Sequence, residues 1–243
     1  MDLSAIFFLI LLCTGASFVQ RVCGFGFGVF IMTMLPYLCP SYGEATTLSG
    51  LLSALQSLYV LFWLYKLVSW RRIVVILLSF TVFSYFAIQF VASATDSYLK
   101  MLLGVVLILL GVYFLFVSPR IKARPTHTLQ VSMGALSGVM GGLFGMHGPP
   151  AVIYFLASEQ DEKNRYMAIC QAYFLLTNII MTFFRAQNNF LTTFVWESML
   201  YACVGVVLGS MLGKWVFDKI PVETLRKIIY AYMIFSGVLA ICY

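Results

Sequence analysis

Two long apolar stretches of the chain are each interrupted in the middle by glycine or proline. Residues 14–38 contain the segment GFGFG at 24–28, and residues 134–156 contain GGLFGMHGPP at 141–150. Proline cannot donate a backbone hydrogen bond and clashes with the preceding helical turn, and each glycine weakens a helix by ~1 kcal/mol relative to alanine. Non-helical backbone at membrane depth is tolerated only where protein buries it or where it lines a watery cavity. The two breaks are therefore predicted to face each other and to hold a small solute.

The composition places the chain among integral membrane proteins. Of its 243 residues, 62% are hydrophobic and only 10% are charged, whereas soluble domains have about 25% charged residues. The net charge of +6 comes from basic residues in short loops, so the predicted partner is the lipid bilayer and no nucleic-acid partner is expected. The six cysteines show neither a CxxC pattern nor Cys/His ligand spacing, so no metal site, disulfide framework or cofactor is expected.

The order of the apolar segments is the same in both halves of the chain. Residues 3–38 form a block of 36 residues, which as one helix would be ~54 Å long against a hydrocarbon core of ~30 Å. A hairpin of two short helices fits better. The first repeat, 1–118, then holds hairpin 3–38 and spans 45–65, 73–93 and 98–117. After a linker at 119–127, the second repeat, 128–243, holds hairpin 128–157 and spans 166–185, 194–216 and 225–243.

The basic residues support this topology. If each hairpin returns to the side it entered from, twelve Lys and Arg residues fall on one side and only Lys100 and Arg185 on the other, with Arg21 inside the first block. If each block crossed once, the loop residues would split seven and seven. Because Lys and Arg concentrate in cytoplasmic loops, both termini are predicted to be extracytoplasmic in a multi-pass protein of the cell membrane. The predicted fold is all-α, with two inverted repeats that each comprise a broken-helix hairpin and three transmembrane helices.

The sequence around both breaks is similar to one known family. The second half carries GGLFGMHGPP at 141–150 followed by Tyr154-Phe155-Leu156, and the first half carries the glycine segment at 24–28 and Ser69-Trp70-Arg71. The chain thereby resembles the TauE/SafE family of sulfite and sulfonate exporters over nearly its whole length. The resemblance implies a membrane transporter of sulfite, a sulfonate or a related small anion. His147 stands where a small residue is expected, which leaves the particular anion open.

Arg21 is the basic residue that the sequence places in an apolar interior, directly before the first break. Charges at that depth usually face a cavity, and a guanidinium binds a sulfonate or carboxylate through paired hydrogen bonds. A structural pairing with a helix-end carbonyl or with Glu197 is the alternative. The half-helices expected after Gly28 and at Pro149 would point positive dipole ends at the solute. Close helix packing by the glycines is the alternative there.

Four further polar residues lie in apolar segments. His147 could couple transport to protons or could be a neutral partner of the unwound backbone. Gln20, Gln171 and Asn178 could line the solute path or bond between helices, and the last two share one helical face because they are seven residues apart. The predicted substrate-binding residues are Gln20, Arg21, Gly24, Gly26, Gly28, Gly145, His147, Gly148, Gln171 and Asn178.

The function predicted from these residues is secondary transport of a small anion bound near the midplane by alternating access. A proton or other coupling ion and a homo-oligomer are both left open. An anion channel of the same architecture is the main alternative. An intramembrane enzyme is disfavoured, because Ser137 and His147 form the one plausible catalytic pair and no acidic residue is placed to orient the histidine.

Overall fold

Every regular element of the computed structural model is a helix across the described residues, which are 2–113, 126–158 and 163–217 together with 116, 234 and 238. The helices are α1 Leu3–Cys23, α2 Phe27–Ile31, α3 Leu35–Leu38, α4 Tyr42–Leu64, α5 Trp70–Ser93, α6 Asp96–Val112, α7 His127–Phe144, α8 Gly148–Ser158, α9 Lys163–Gln187 and α10 Thr193–Phe217. A 3-10 turn, Tyr65–Leu67, extends α4. The end of the predicted span 98–117, most of the predicted linker 119–127 and most of the predicted span 225–243 lie outside the described residues.

Five of these helices are long and apolar enough to cross a membrane: Leu3–Cys23, Tyr42–Leu67, Trp70–Ser93, Asn164–Gln187 and Thr193–Val216. Their outward-facing side chains are large and apolar, as in Phe62, Trp63 and Leu200, which are each more than 70% exposed. Such a surface suits lipid rather than water. The all-α membrane fold predicted from the sequence is therefore confirmed, whereas the division into two inverted repeats stays a prediction.

Local sequence signals define several helix ends. Ser41 caps α4 by accepting a hydrogen bond from the backbone N–H of Glu44 (3.2 Å), and its hydroxyl donates to the Glu44 carboxylate (3.0 Å); the Ser-x-x-Glu spacing is typical of a helix N-terminus. Thr126 caps α7 by accepting from the N–H of Leu129. Gly145 caps the C-terminus of α7 with φ +67°, a conformation that glycine adopts without steric cost.

Both broken segments fold back on themselves. A Cβ atom on Gly15 of α1 would lie 2.7 Å from the ring of Phe30, and one on Gly26 would lie 3.1 Å from Val19. Residues later in α2 thus sit beside residues earlier in α1, so α2 returns along α1. The hairpin α7–α8 begins and ends beside one residue of α5, because Gln130 donates to the carbonyl oxygen of Arg72 (2.8 Å) and Arg72 donates to that of Ser158.

Two glycine rows allow close parallel packing of helix pairs. Gly205, Gly209 and Gly213 of α10 would place a Cβ against successive turns of α1, from Ile10 through Thr14 to Phe18. Gly134, Gly138 and Gly142 of α7 face successive turns of α5 in the same way, from Ile76 through Phe80 to Ser84. Small residues at four-residue spacing permit such approach in membrane helices. The principal helix contacts are α1 with α10, α5 with α7, α4 with α9, α4 with α10 and α5 with α9.

Candidate functional site

The two breaks are in direct contact. Helix α1 ends at Cys23 and α2 begins at Phe27, after Gly24 and Gly26 adopt φ +83° and +105°. Helix α7 ends at Phe144 and α8 begins at Gly148. A Cβ atom on Gly28 would lie 2.1 Å from the carbonyl oxygen of Gly145, so the backbone of one break lies against the backbone of the other and only glycine fits at position 28.

A small cavity lies between the breaks. Its volume is about 10 Å³, roughly the room that one water molecule needs. Among the described residues, its walls are formed by Gln20, Gly26, Phe27, Gly28, Val29, Ser53, Gly145, Met146, His147, Gly148, Pro149 and Phe174. No carboxylate is among these residues. We call this space the break cavity. Six of the predicted site residues line it, namely Gln20, Gly26, Gly28, Gly145, His147 and Gly148.

Two more predicted residues, Gln171 and Asn178, bond to the wall of the break cavity, and a third, Gly24, bonds to Gln171. The amide nitrogen of Gln20 donates to the side-chain oxygen of Gln171 (2.9 Å), and the amide nitrogen of Gln171 donates to the carbonyl oxygen of Gly24 (3.1 Å). Asn178 donates to the hydroxyl of Ser53 (3.1 Å). The seven-residue spacing noted in the sequence thus places Gln171 and Asn178 on the face of α9 that meets the first break and α4.

His147 lies in the second break with its ring among aromatic side chains. The ring centroids of Phe174, Phe80 and Tyr173 are 5.2, 5.9 and 6.4 Å away. The side chain is 4% exposed, and neither ring nitrogen has a hydrogen-bond partner in the described part of the chain. A buried polar atom without a partner is costly, and His147 is the lining residue of the break cavity whose ring nitrogens carry this cost.

Ser137 and His147 are not arranged as a nucleophile and its base. The hydroxyl of Ser137 donates to the backbone carbonyl oxygen of His147 and accepts a hydrogen bond from Tyr173 (2.9 Å). A catalytic pair would need the serine hydroxyl at a ring nitrogen. Within the described residues, no group of three or more His, Cys, Asp or Glu side chains could hold a metal ion.

Arg21 lies in a different cavity from the other predicted site residues. That cavity has a volume of about 230 Å³ and is lined by Arg21, Tyr59, Val60, Trp63, Leu64, Asn164, Met167 and Lys214. Arg21 is half-buried at the end of α1 and follows Gln20. Adjacent helical residues point ~100° apart, so Gln20 faces the break cavity and Arg21 faces this second cavity.

Among the described residues, Arg185 is a buried cation whose burial was not predicted from the sequence. It was predicted as the last residue of span 166–185, on the side with few basic residues, and the structure places it in the last turn of α9 with only 1% of its surface exposed. Its guanidinium donates to the carbonyl oxygens of Thr46 (2.8 Å) and Gly141 (2.9 Å). The missed signal was its spacing, because Arg185 follows Asn178 by the same seven residues that separate Asn178 from Gln171.

These features define a multi-pass membrane protein with paired helix breaks around a small cavity that no described carboxylate lines. The chain belongs to the family described as sulfite exporter TauE/SafE, whose model matches residues 8–240. The family resemblance seen in the sequence is therefore confirmed. A curated relative, the probable sulfite/organosulfonate exporter TauE of Cupriavidus necator, is 25% identical over 227 residues, which cover 91% of this chain and 88% of the relative. No solved structure matches the chain significantly.

Proposed function

We propose that this chain is a secondary transporter of a small anion, sulfite or an organosulfonate, which binds between the two broken hairpins near the middle of the membrane. The observation that carries the proposal is the contact of the two breaks around the break cavity. Family membership and the relative's printed name support the substrate class and export as the direction.

The chemistry of the break cavity suits an anion. Ser53 and His147 can each donate a hydrogen bond from its wall, and α8 begins there at Gly148. The two N–H groups of the Gln20 amide already bond to Ser57 and Gln171. The N-terminus of a helix carries a partial positive charge that attracts anions. Pro149 and Pro150 occupy the next helical positions, where a missing N–H costs little. The proposed site comprises the six lining residues predicted from the sequence with Ser53, and Gly24, Gln171 and Asn178 hold its wall in place.

The size of the break cavity supports alternating access over a permanent pore. A space of about 10 Å³ holds one water molecule and not a sulfur atom with three oxygens. An ion could enter only if the hairpins moved apart, and opening on one side at a time would give alternating access. The helix contacts support a twofold relation for such a movement, because exchanging α1 with α7, α4 with α9 and α5 with α10 leaves the set of principal contacts unchanged. Inverted repeats of this kind underlie many secondary transporters.

The membrane orientation is part of the proposal. Lys66, Arg71 and Arg72 lie at the end of α4 and the start of α5, and the excess of basic residues places that side in the cytoplasm. The opposite side, which carries the start of α1 and the loop between α9 and α10, is then extracytoplasmic.

Transport by the purified protein in liposomes tests the proposal. Liposomes preloaded with sulfite or ethanesulfonate should accumulate the labelled anion by counterflow, with saturation as the external concentration rises. Ser53→Leu, which fills the break cavity, should abolish this uptake. Ser93→Leu is the matched control, because Ser93 is exposed at the end of α5. Uptake that rises without saturation and shows no counterflow would favour a channel, and no flux of any of these anions would contradict the proposed substrate class.

A further inference from the structure

Polar side chains line the contact between α4 and α9 from one end to the other. On α9 they are Gln171, Asn178 and Arg185, at seven-residue intervals. On α4, Ser53 and Thr46 bond to Asn178 and Arg185, and Ser49 lies buried between them in sequence. Because a helix rises 1.5 Å per residue, the row on α9 is ~21 Å long. We call this row and its α4 partners the polar seam. The break cavity touches the seam at Ser53.

Arg185 occupies one end of the polar seam, and backbone carbonyl groups are its only hydrogen-bond partners in the described residues. These are the carbonyl groups of Thr46 in α4 and Gly141 in α7. The carbonyl oxygen of Gly141 also accepts the N–H of Gly145, the residue at which α7 breaks. Arg185 is therefore attached to the second break, and its charge has no carboxylate bonded to it within the described part of the chain.

Several buried polar groups near Arg185 have no hydrogen-bond partner among the described residues. They are the hydroxyl oxygens of Ser49 and Tyr42, the side-chain oxygen of Asn178 and both ring nitrogens of His147. Ser49 and Asn178 are fully buried. A Cβ atom built on Gly50 would lie 3.0 Å from Nη1 of Arg185 and 3.4 Å from Oδ1 of Asn178, so these two atoms are within about 6.4 Å of each other.

This arrangement offers an anion several hydrogen-bond donors beside a positive charge. An ionised group inside a membrane usually has a partner or faces a watery path, and polar groups buried without partners are rare in folded proteins. Here a guanidinium, a hydroxyl and an imidazole lie together at one end of a polar seam. A guanidinium offers two parallel N–H donors that match two oxygens of a sulfite or sulfonate, and the hydroxyl of Ser49 and a ring N–H of His147 can donate to a third.

We propose that Arg185 is the positively charged group that binds the transported anion. The anion moves from the break cavity along the polar seam to Arg185. There the guanidinium releases a backbone carbonyl group and binds the oxyanion instead. This step rests on the proposed function. In the proposed membrane orientation, Arg185 lies on the extracytoplasmic side of the break cavity, so it would hold the anion just before its release. If the released group is the carbonyl of Gly141, anion binding would also change the hydrogen bonding of the second break, because the same carbonyl accepts the N–H of Gly145.

Binding of sulfite and ethanesulfonate to purified variants tests the role of Arg185. Isothermal titration with Arg185→Gln should give at least a 30-fold weaker affinity than the wild type, and Arg185→Lys should fall between, because an ammonium group keeps the charge but not the planar fork. Arg71→Gln, which removes an exposed arginine at the start of α5, is the matched control and should bind as the wild type does. Wild-type affinity in folded Arg185→Gln, or a larger loss in Arg21→Gln, would overturn the proposal.

A second pair of variants keeps the test decisive if Arg185→Gln does not fold. Asn178→Asp places a carboxylate beside the guanidinium, so the melting temperature should equal or exceed that of the wild type while anion binding is lost. Gln171→Glu makes the same change seven residues away, without Arg185 nearby, and should lower the melting temperature. If Asn178→Asp destabilises the protein as much as Gln171→Glu does, a negative charge beside Arg185 brings no stabilisation. Arg185 is then only a structural link between α4, α7 and α9, and the proposal is overturned. Absence of anion binding to the wild type would instead count against the proposed function.

Discussion

Replacing Gly28 by alanine should separate the two breaks. The added methyl carbon would lie 2.1 Å from the carbonyl oxygen of Gly145, whereas carbon–oxygen contacts are normally about 3.3 Å or longer. The neighbouring atom belongs to the backbone, so no side chain can rotate away, and the hairpins must move apart by about 1 Å. Inserting a methyl group into packed structure costs about 1–3 kcal/mol, and in a chain of this size each kcal/mol lowers the melting temperature by roughly 2–4 °C.

The matched control for this change is Gly148→Ala in the same cavity wall. A Cβ atom on Gly148 would meet Phe25 at 3.4 Å and Phe174 at 3.5 Å, which are ordinary contact distances. Thermal unfolding of the detergent-purified variants, followed by circular dichroism, compares the two directly. Gly28→Ala should melt several degrees below Gly148→Ala and should lose anion binding. Equal melting temperatures and equal affinities would refute the inference that the breaks are in contact.

Four further predictions follow from the same geometry. Cysteine introduced at Asn189 in a variant without native cysteines should react with a membrane-impermeant reagent on intact cells, whereas cysteine at Lys66 should not; the reverse pattern would invert the proposed orientation. Arg21→Ala should reduce the rate of anion flux more than it reduces the affinity for the anion, because Arg21 lines another cavity. A loss of affinity without a loss of rate would indicate that Arg21 contacts the bound anion. Ser137→Ala should retain measurable transport, because its hydroxyl bonds to a backbone carbonyl oxygen, and complete loss in a folded variant would revive the enzyme alternative. His147→Phe should weaken anion binding, and a pH dependence of transport that disappears in this variant would identify His147 as the proton-coupling group.

The breaks were predictable from the sequence because they depend on local backbone chemistry. Gly24, Gly26 and Gly145 adopt positive φ values that other residues reach only with strain, and the prolines of α8 stand at the start of a helix where they are tolerated. That the two breaks would meet was also inferred, because exposed backbone at membrane depth must be buried against something. The polar residues Gln20, Gln171 and Asn178 were recognised because polar side chains in apolar segments need partners.

The placement of the two arginines depends on contacts between distant segments, which the sequence does not reveal. Arg185 lies near the end of its span, where a basic residue ordinarily reaches water. It is buried because Thr46 and Gly141, which are 139 and 44 residues away, close over it. Arg21 follows Gln20 directly, and helical rotation alone decides which of the two faces the break cavity. Hydropathy reports depth in the membrane but not this rotation.

The location of the bound anion is the most direct test of the account. Crystals grown with 2-bromoethanesulfonate and measured at the bromine absorption edge would show the ligand by its anomalous scattering. We predict a peak between Gly28 and Gly148, or along the polar seam toward Arg185, that disappears when excess ethanesulfonate competes. A competable peak in the cavity lined by Arg21 and Lys214, with none between the breaks, would contradict it.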